Sequence, residues 1–256
     1  MDILNLKNPF GAPVCREEIV TSTFDAARIL ARQNEPHGTV ITADYQEAGR
    51  GRFGRSWAAE KGKNLLFTIL FRYGDFSLIP EALTLRTGLA VALAVEDLAP
   101  SLAGSVKVKW PNDIMIGSRK AAGILTEGDG KTVYIGVGVN VAQKAFPGEY
   151  RSKPASIIQL CPDLFEGARF ILLEKILMRL YEEIENKEIE KPGAWRERLL
   201  ERLYKLGETV TFAEGPVGSD HLIEGTLCGI GSGGELLIIP KGETKEQAFV
   251  TGELQV

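Results

Sequence analysis

The chain has 256 residues, 44% hydrophobic and 25% charged, which is enough for one large domain or a large domain plus a small one. Its 30 Lys and Arg against 34 Asp and Glu give a formal net charge of -4, which argues against a global basic field for nucleic acid. Its two histidines and three scattered cysteines disfavour disulfides, zinc sites and most histidine relays, and indicate a reducing cytoplasm. No apolar run reaches the roughly 18 residues that span a bilayer, so we expect no membrane insertion.

Hydrophobic periodicity and turn residues predict the elements of the first half of the chain. In chain order they are a helix at 21–32, a strand at 38–44, a glycine- and arginine-rich loop at 47–56, a buried strand at 65–71 and a buried helix at 83–98. Ser22 and Asp25 fit a capping pair at the start of the first helix.

The second half begins with strands and continues with two amphipathic helices. The strands are predicted at 106–110, 114–116, 120–126 and 132–141, with a tight hairpin at Gly117-Ser118. Helices follow around 170–184 and 195–206, and Gly207 suits the position just after the second helix. Trp110 alternates with Val106 and Val108, which favours a core position.

From Glu208 onward, short β-prone runs are separated by glycine-rich turns such as residues 231–234. The runs are 209–212, 222–227, 235–239 and 247–250. This pattern predicts a small β-barrel of about fifty residues docked on the larger domain. We therefore predict an α+β chain with a large domain at 1–206 and a small β domain at 207–256.

Residues 49–55 (GRGRFGR) combine three glycines with three arginines. Glycines let backbone N–H groups approach a ligand, and arginines offer planar forks for phosphate or carboxylate, so the segment predicts an anion-binding loop. The alternative is a solvated Gly/Arg loop, or one that touches RNA. The segment is neither a Walker A loop nor a Rossmann fingerprint, because the required spacing is missing.

Lys120 leads into an apolar segment, where a lysine is costly unless it has an anionic partner. Asp113 begins the same hairpin and is a candidate partner. A purely structural Asp113–Lys120 ion pair and an exposed edge lysine are the alternatives to a catalytic role.

Three further segments suggest ligand contacts. Gly136 and Gly138 alternate along a strand, which strips one face of side chains and leaves room for a flat group such as adenine, with Asn140 at the end. Close helix-on-sheet packing explains the same pattern. Trp57 follows the arginine loop and suits either a core position or a cover over a ligand ring. Ser22 and Thr23 suit a ligand at a helix N-terminus, whereas a plain N-cap is the simpler role for Ser22.

The order of these segments resembles the biotin–protein ligase family. The resemblance covers residues 18–256 and rests on four blocks in order, 45–57 (YQEAGRGRFGRSW), 109–114 (KWPNDI), 119–127 (RKAAGILTE) and 136–141 (GVGVNV). It departs at residues 21–24, which read TSTF where the family usually has Asp-Ser-Thr-Asn. The match starts close to Met1, so we expect a short form that has no N-terminal DNA-binding domain and binds no operator DNA.

The resemblance implies a mixed-sheet ligase domain with a small C-terminal SH3-like β-barrel. It implies that MgATP activates biotin to biotinyl-5′-adenylate, and that a lysine of a biotin carboxyl carrier domain then takes the biotin. The residues implied in catalysis are Lys120, Arg52 and Asp113. Those implied in biotin binding are Ser22, Thr23, Gln46, Gly49, Arg50, Lys120 and Gly123. Those implied in ATP binding are Arg50, Arg52, Arg55, Trp57, Asn112, Lys120 and Asn140, with no metal held by protein ligands.

Three other functions compete with this one. A ligase or transferase for lipoate or octanoate has the same general fold. A nucleic-acid-binding module would use the arginine loop and the barrel, and a binding-only protein would store biotin without activating it. The sequence does not identify the carrier protein, and it leaves the oligomeric state open, with edge-to-edge pairing of two sheets into a homodimer as one arrangement.

Overall fold

The computed structural model describes residues 1–130, 132–185, 193–215 and 221–255. Its centre is an eight-stranded mixed sheet in the order β1-β2-β3-β4-β8-β7-β6-β5. The strands are β1 (Asp2–Leu4), β2 (Val14–Val20), β3 (Val40–Gln46), β4 (Leu65–Arg72), β5 (Val106–Lys109), β6 (Asp113–Ile116), β7 (Arg119–Asp129) and β8 (Thr132–Val139). The β2–β3 pair is parallel and the other neighbours in this sheet are antiparallel.

Helices cover both faces of this sheet. They are α1 (Thr23–Arg32), α2 (Leu83–Leu98), α3 (Ile157–Leu160), α4 (Arg169–Ile184) and α5 (Ala194–Arg202). Helix α1 packs on β3, β4 and β8, whereas α2 packs on β5, β6 and β7 and is itself covered by α4. Gly88 lets α2 approach the sheet closely, because a Cβ there would lie 3.1 Å from Val108 Cγ1.

The stretch Phe76–Leu98 is long and apolar enough to cross a membrane by length and composition. Leu89, Val91 and Val95 of α2 are fully buried against the sheet and α4. Packing inside the protein core therefore accounts for the apolar character of this helix.

The C-terminal residues form a second sheet of five antiparallel strands in the order β12-β11-β10-β9-β13. The strands are β9 (Thr209–Glu214), β10 (Leu222–Ile230), β11 (Leu236–Pro240), β12 (Gln247–Phe249) and β13 (Gly252–Leu254). Phe212 is buried and packs edge-on against Trp110, with ring centroids 5.9 Å apart. Trp110 Nε1 also donates to the Gly234 carbonyl at 2.9 Å. The β domain is thus packed directly onto the end of β5.

The α+β fold with a mixed sheet and a small C-terminal β domain is confirmed, and Trp110 lies in the core as predicted. The division at residues 206 and 207 stays a prediction. Several boundaries were wrong. Helix α1 begins at Thr23 because Ser22 is the N-cap, and β3 continues to Gln46. Helix α5 ends at Arg202, so Gly207 (φ 80°) turns the chain four residues beyond the Leu203 C-cap and does not end the helix.

Candidate ligand-binding site

One pocket of about 780 Å³ opens on the α1 side of the large sheet. Its floor is formed by β7 and β8, and its walls come from the N-terminus of α1, the arginine loop, the β5–β6 turn, the segment after β8 and the β domain. The predicted residues that line it are Thr23, Gln46, Arg50, Arg52, Arg55, Trp57, Asn112, Asp113, Lys120, Gly123 and Asn140. The fold therefore brings the four sequence blocks together around one cavity.

The floor is a patch of glycines. Gly123 on β7 pairs with Gly138 on β8, and Gly136 lies two residues along the same strand face. A Cβ at Gly138 would lie 2.5 Å from Trp57 Cε2, and one at Gly123 would lie 2.9 Å from Trp57 Cζ3. The stripped face predicted from the sequence is real. Trp57 lies on Gly123 and Gly138, and Phe24 of α1 lies on Gly136, so the alternative of close helix-on-sheet packing holds at Gly136.

At one end of the pocket, neutral hydrogen-bonding groups are fixed in place. Gln46 Oε1 accepts from the Thr23 backbone N–H at 2.8 Å and from Thr23 Oγ1 at 3.0 Å. Thr68 Oγ1 donates to Thr23 Oγ1 at 2.9 Å. Because the Gln46 oxygen is held by these bonds, its amide NH₂ is the part of the side chain left to meet a ligand acceptor.

Ser22 and Gly49 are predicted ligand contacts that do not line the pocket. Ser22 is buried and its Oγ accepts from Phe24 N at 3.3 Å, so it acts as the N-cap of α1. Gly49 lies under the pocket wall, where its carbonyl accepts from Trp57 N at 2.9 Å and a Cβ would lie 2.4 Å from Trp57 O. Both residues support the site from behind, and any contact with a ligand stays a prediction.

The arginine loop is held by acidic and amide partners. Arg50 bonds to Asp25 on α1 and lies 3.9 Å from Glu127 on β7. Arg52 Nη1 donates to Asn112 Oδ1 at 3.2 Å, and Asn112 in turn donates to the Ile124 carbonyl. Burial lowers the pKa of Arg52 from its ordinary value, although nearby carboxylates oppose this. A partly desolvated guanidinium of this kind gains from an incoming anion.

Glu253 of the β domain is a pocket residue that the sequence did not reveal. Its carboxylate receives two parallel bonds from Arg55, at 3.1 and 3.2 Å, and one from Arg151 at 2.8 Å. Burial alone would raise the pKa of Glu253, but the Arg55 hydrogen bond and the charges of Arg55, Arg151 and Lys109 hold it below the usual value. The C-terminal domain therefore orients an arginine of the loop.

Lys120 lies where the floor meets the cationic end. Its Nζ is 2.6 Å from Asp113 Oδ1 and 5.6 Å from the centre of the Trp57 indole. The Lys120 backbone is fixed by bonds with the Lys153 carbonyl and the Ala155 N–H. The ion pair expected from the hairpin is therefore present. It is open to the pocket rather than sealed in the core, because the Lys120 side chain is 25% exposed.

Lys109 is a second lysine near the carboxylates of Asp113 and Glu253, and it was not predicted as a site residue. It is buried at the end of β5, and burial lowers its pKa although Asp113 and Glu253 oppose the shift. The pocket thus has a neutral end around Thr23 and Gln46, where Arg50 is neutralised by Asp25, and a cationic end with Lys120, Arg52, Arg55 and Arg151, whose charges Asp113 and Glu253 balance in part. Such a cavity suits an elongated ligand with a polar, uncharged head and a concentrated negative charge.

Comparison with known proteins agrees with this geometry. The model of the biotin/lipoate A/B protein ligase family matches residues 18–140. The bifunctional ligase/repressor BirA of Bacillus spizizenii is 34% identical over 169 residues, which cover 63% of this chain and 51% of that protein. The biotin–[acetyl-CoA-carboxylase] ligase of Mycobacterium tuberculosis is 34% identical over 160 residues, covering 62% and 56% respectively. This chain thus spans about half the length of these curated relatives.

A solved structure extends the similarity to nearly the whole chain. The biotin protein ligase of Aquifex aeolicus, solved in complex with biotin and ATP, superposes with a TM-score of 0.78 at 26% identity. The superposition covers 94% of this chain and 97% of the Aquifex protein. In its motifs and its fold, this chain is therefore similar to the biotin/lipoate A/B protein ligase family.

Proposed function

We propose that the protein is a biotin–protein ligase, which activates biotin with ATP and transfers it to a lysine of a biotin carboxyl carrier domain. The observation that carries the proposal is the polarity of the pocket. Thr23 and Gln46 lie at one end, and Lys120 with Arg52 and Arg55 at the other. Biotin has a neutral ureido ring at one end and a carboxylate at the other, so it matches this arrangement. The ATP phosphates match the cationic end.

In the first step, a carboxylate oxygen of biotin attacks the α-phosphorus of ATP, and pyrophosphate leaves with its bond electrons. Negative charge then accumulates between the carboxylate and the α-phosphate. Lys120 Nζ, held by Asp113, lies beside Trp57 and Gly123 on the pocket floor. Preorganised charge at such a position stabilises the transition state without reorganisation.

In the second step, the neutral ε-amine of the carrier lysine attacks the acyl carbon, AMP leaves, and the amine gives up a proton. Lys120 again lies beside the departing phosphate. Asp113 is the carboxylate nearest this position, and its role is to orient Lys120 or to receive the proton. Arg52 and Arg55 hold the phosphates, Trp57 contacts the nucleotide, and Asn112 and Asn140 bind its polar edges.

Pyrophosphate exchange into ATP tests the first step directly. Exchange that requires biotin, and that neither octanoate nor lipoate supports, would agree with the proposal. Exchange with octanoate or lipoate would move the protein to the lipoate side of the family. A folded protein that binds biotin but gives no exchange would be a binding-only protein.

We infer that Mg²⁺ arrives with ATP as part of the substrate, and that the reaction takes place in the cytoplasm, without DNA binding and without a membrane. The relatives named as ligases of acetyl-CoA carboxylase favour a biotin carboxyl carrier domain as the acceptor. Mass spectrometry of a purified carrier domain after incubation would locate the added biotin, and light scattering would separate a monomer from a homodimer.

A further inference from the structure

Phe24 forms a close fit with Gly136. Its side chain lies in the first turn of α1 and is only 3% exposed. A Cβ built on Gly136 would lie 2.2 Å from Phe24 Cε2 and 2.6 Å from its Cζ. Both distances are far below van der Waals contact, so the ring occupies the space that any larger residue at 136 would need. Phe24 and Gly136 are therefore a complementary pair across the α1–β8 contact.

The same ring is also part of the pocket wall. Phe24 lines the cavity beside Thr23, and Leu125 and Phe67 supply further apolar surface. The Arg50 guanidinium carbon lies over the Phe24 ring, 6.0 Å from its centre, and Asp25 binds Arg50. The ring is confined by the β8 backbone at its edge and by a held arginine over the ring. It therefore has little freedom to retreat when a ligand enters.

We propose that the Phe24–Gly136 pair determines which ring-bearing acids the pocket accepts, because it sets the contour of the neutral end. This inference rests on the proposed function, in which the acid enters with its ring toward Thr23 and its carboxylate toward Lys120. Thr23 and Gln46 would select for polar ring atoms, and Phe24 would select for the size and apolar character of the ring face beside them.

Removing the ring should therefore change selectivity as well as affinity. Phe24→Ala takes away an apolar wall and leaves space, so the Kd for biotin should rise about tenfold or more. A biotin derivative with a benzyl group on a ureido nitrogen, excluded by the intact wall, should bind more tightly to Phe24→Ala than to the unmodified protein. The ratio of the two dissociation constants should move by about a hundredfold.

Gly136→Ala should act in the opposite sense. The new methyl group must displace the Phe24 ring into the pocket, which should raise the Kd for biotin at least about tenfold. Adding Phe24→Leu to Gly136→Ala shortens the displaced side chain and should restore most of the affinity. Gly128→Ala is the matched control, since a Cβ at Gly128, on the neighbouring strand β7, meets nothing within 4 Å. It should leave the Kd unchanged.

The experiment is calorimetric measurement of Kd for biotin, the benzyl derivative and octanoate, with thermal melts to confirm that each variant is folded. A preserved biotin-to-derivative ratio in Phe24→Ala, or no rescue in the double variant, would overturn the inference while leaving the proposed function intact. If Phe24→Ala does not fold, Phe24→Leu and the Gly136→Ala pair still decide the question. An unmodified protein that binds octanoate and not biotin would overturn the proposed function and this inference together.

Discussion

Replacing Lys120 by alanine removes a cation that lines the pocket beside Trp57. Lys120 Nζ approaches Asp113 Oδ1 to 2.6 Å, and the two side chains are 25% and 13% exposed. The environment is thus neither bulk water nor dry core, and an effective dielectric constant of about 20 is appropriate. We expect Lys120→Ala to slow formation of the adenylate strongly while leaving the fold intact.

The size of the expected rate loss follows from the Coulomb energy between Lys120 and the developing negative charge. A unit charge about 4 Å from developing oxyanion charge contributes about 4 kcal/mol at that dielectric constant, which is about a thousandfold in rate. Arg52 and Arg55 compensate part of the loss, since they face the same end of the pocket. The expected decrease in kcat for pyrophosphate exchange is therefore about 10²–10³.

The assay compares Lys120→Ala with Lys153→Ala at saturating biotin and ATP. Lys153 is exposed and close in space, and only its backbone carbonyl contacts Lys120, so the control removes the same net charge without touching the pocket. The control should retain near-normal exchange. A loss of less than about tenfold in Lys120→Ala, or an equal loss in Lys153→Ala, would refute the assigned role of Lys120.

Three other perturbations test the site and the fold. Gly138→Ala places a Cβ 2.5 Å from the Trp57 ring and should weaken ATP binding at least about tenfold in calorimetry, whereas Gly128→Ala should not. Glu253→Ala removes the carboxylate that orients Arg55, so it should raise the KM for ATP about five- to tenfold while the Kd for biotin stays unchanged. Glu246→Ala, which alters an exposed glutamate, is the control, and an equal rise of the KM in that variant would count against the role of Glu253. Burial tends to raise the pKa of Asp44, but bonds from Arg16 and Arg169 lower it overall, so its stabilisation is present above pH about 4 and is lost as pH falls through the native pKa. Asp44→Asn should therefore cost about 3 kcal/mol in urea unfolding at pH 7 and much less near pH 2, and an equal cost at both pH values would contradict the assignment.

The periodicity of apolar residues predicted the bounds of an element correctly where the buried positions follow the geometry of that helix or strand. Helix α2 has the predicted bounds because its long apolar run ends at Leu98, before Pro100. The periodicity predicted a wrong boundary where the helical spacing of apolar residues continues beyond the end of the helix. Leu203 continues the spacing of α5, yet its backbone is extended and Tyr204 N bonds to the Val108 carbonyl. A tertiary contact with β5 decides that boundary, and no local signal encodes it.

In the candidate site, too, some residues could be predicted from the sequence and others could not. The motif blocks predicted most of the pocket lining, because each block contributes residue types suited to a carboxylate, a phosphate or a flat ring. Glu253 was missed since it lies 198 residues from Arg55 in the sequence and follows an ordinary turn-and-strand pattern. The strands β1, β2 and β13 were missed as well. They are short or irregular in pattern, and long-range pairing defines them.

Trp57 gives the protein an intrinsic optical probe. The chain has three tryptophans, and Trp110 and Trp195 are buried in the core at 2% and 4% exposure. Trp57 alone among them lines the pocket, with its indole against Gly123 and Gly138 and the Lys120 ammonium 5.6 Å from the ring centre. A ligand that enters must change the polarity around this indole. Its emission should therefore follow the occupancy of the pocket in real time, without any attached dye.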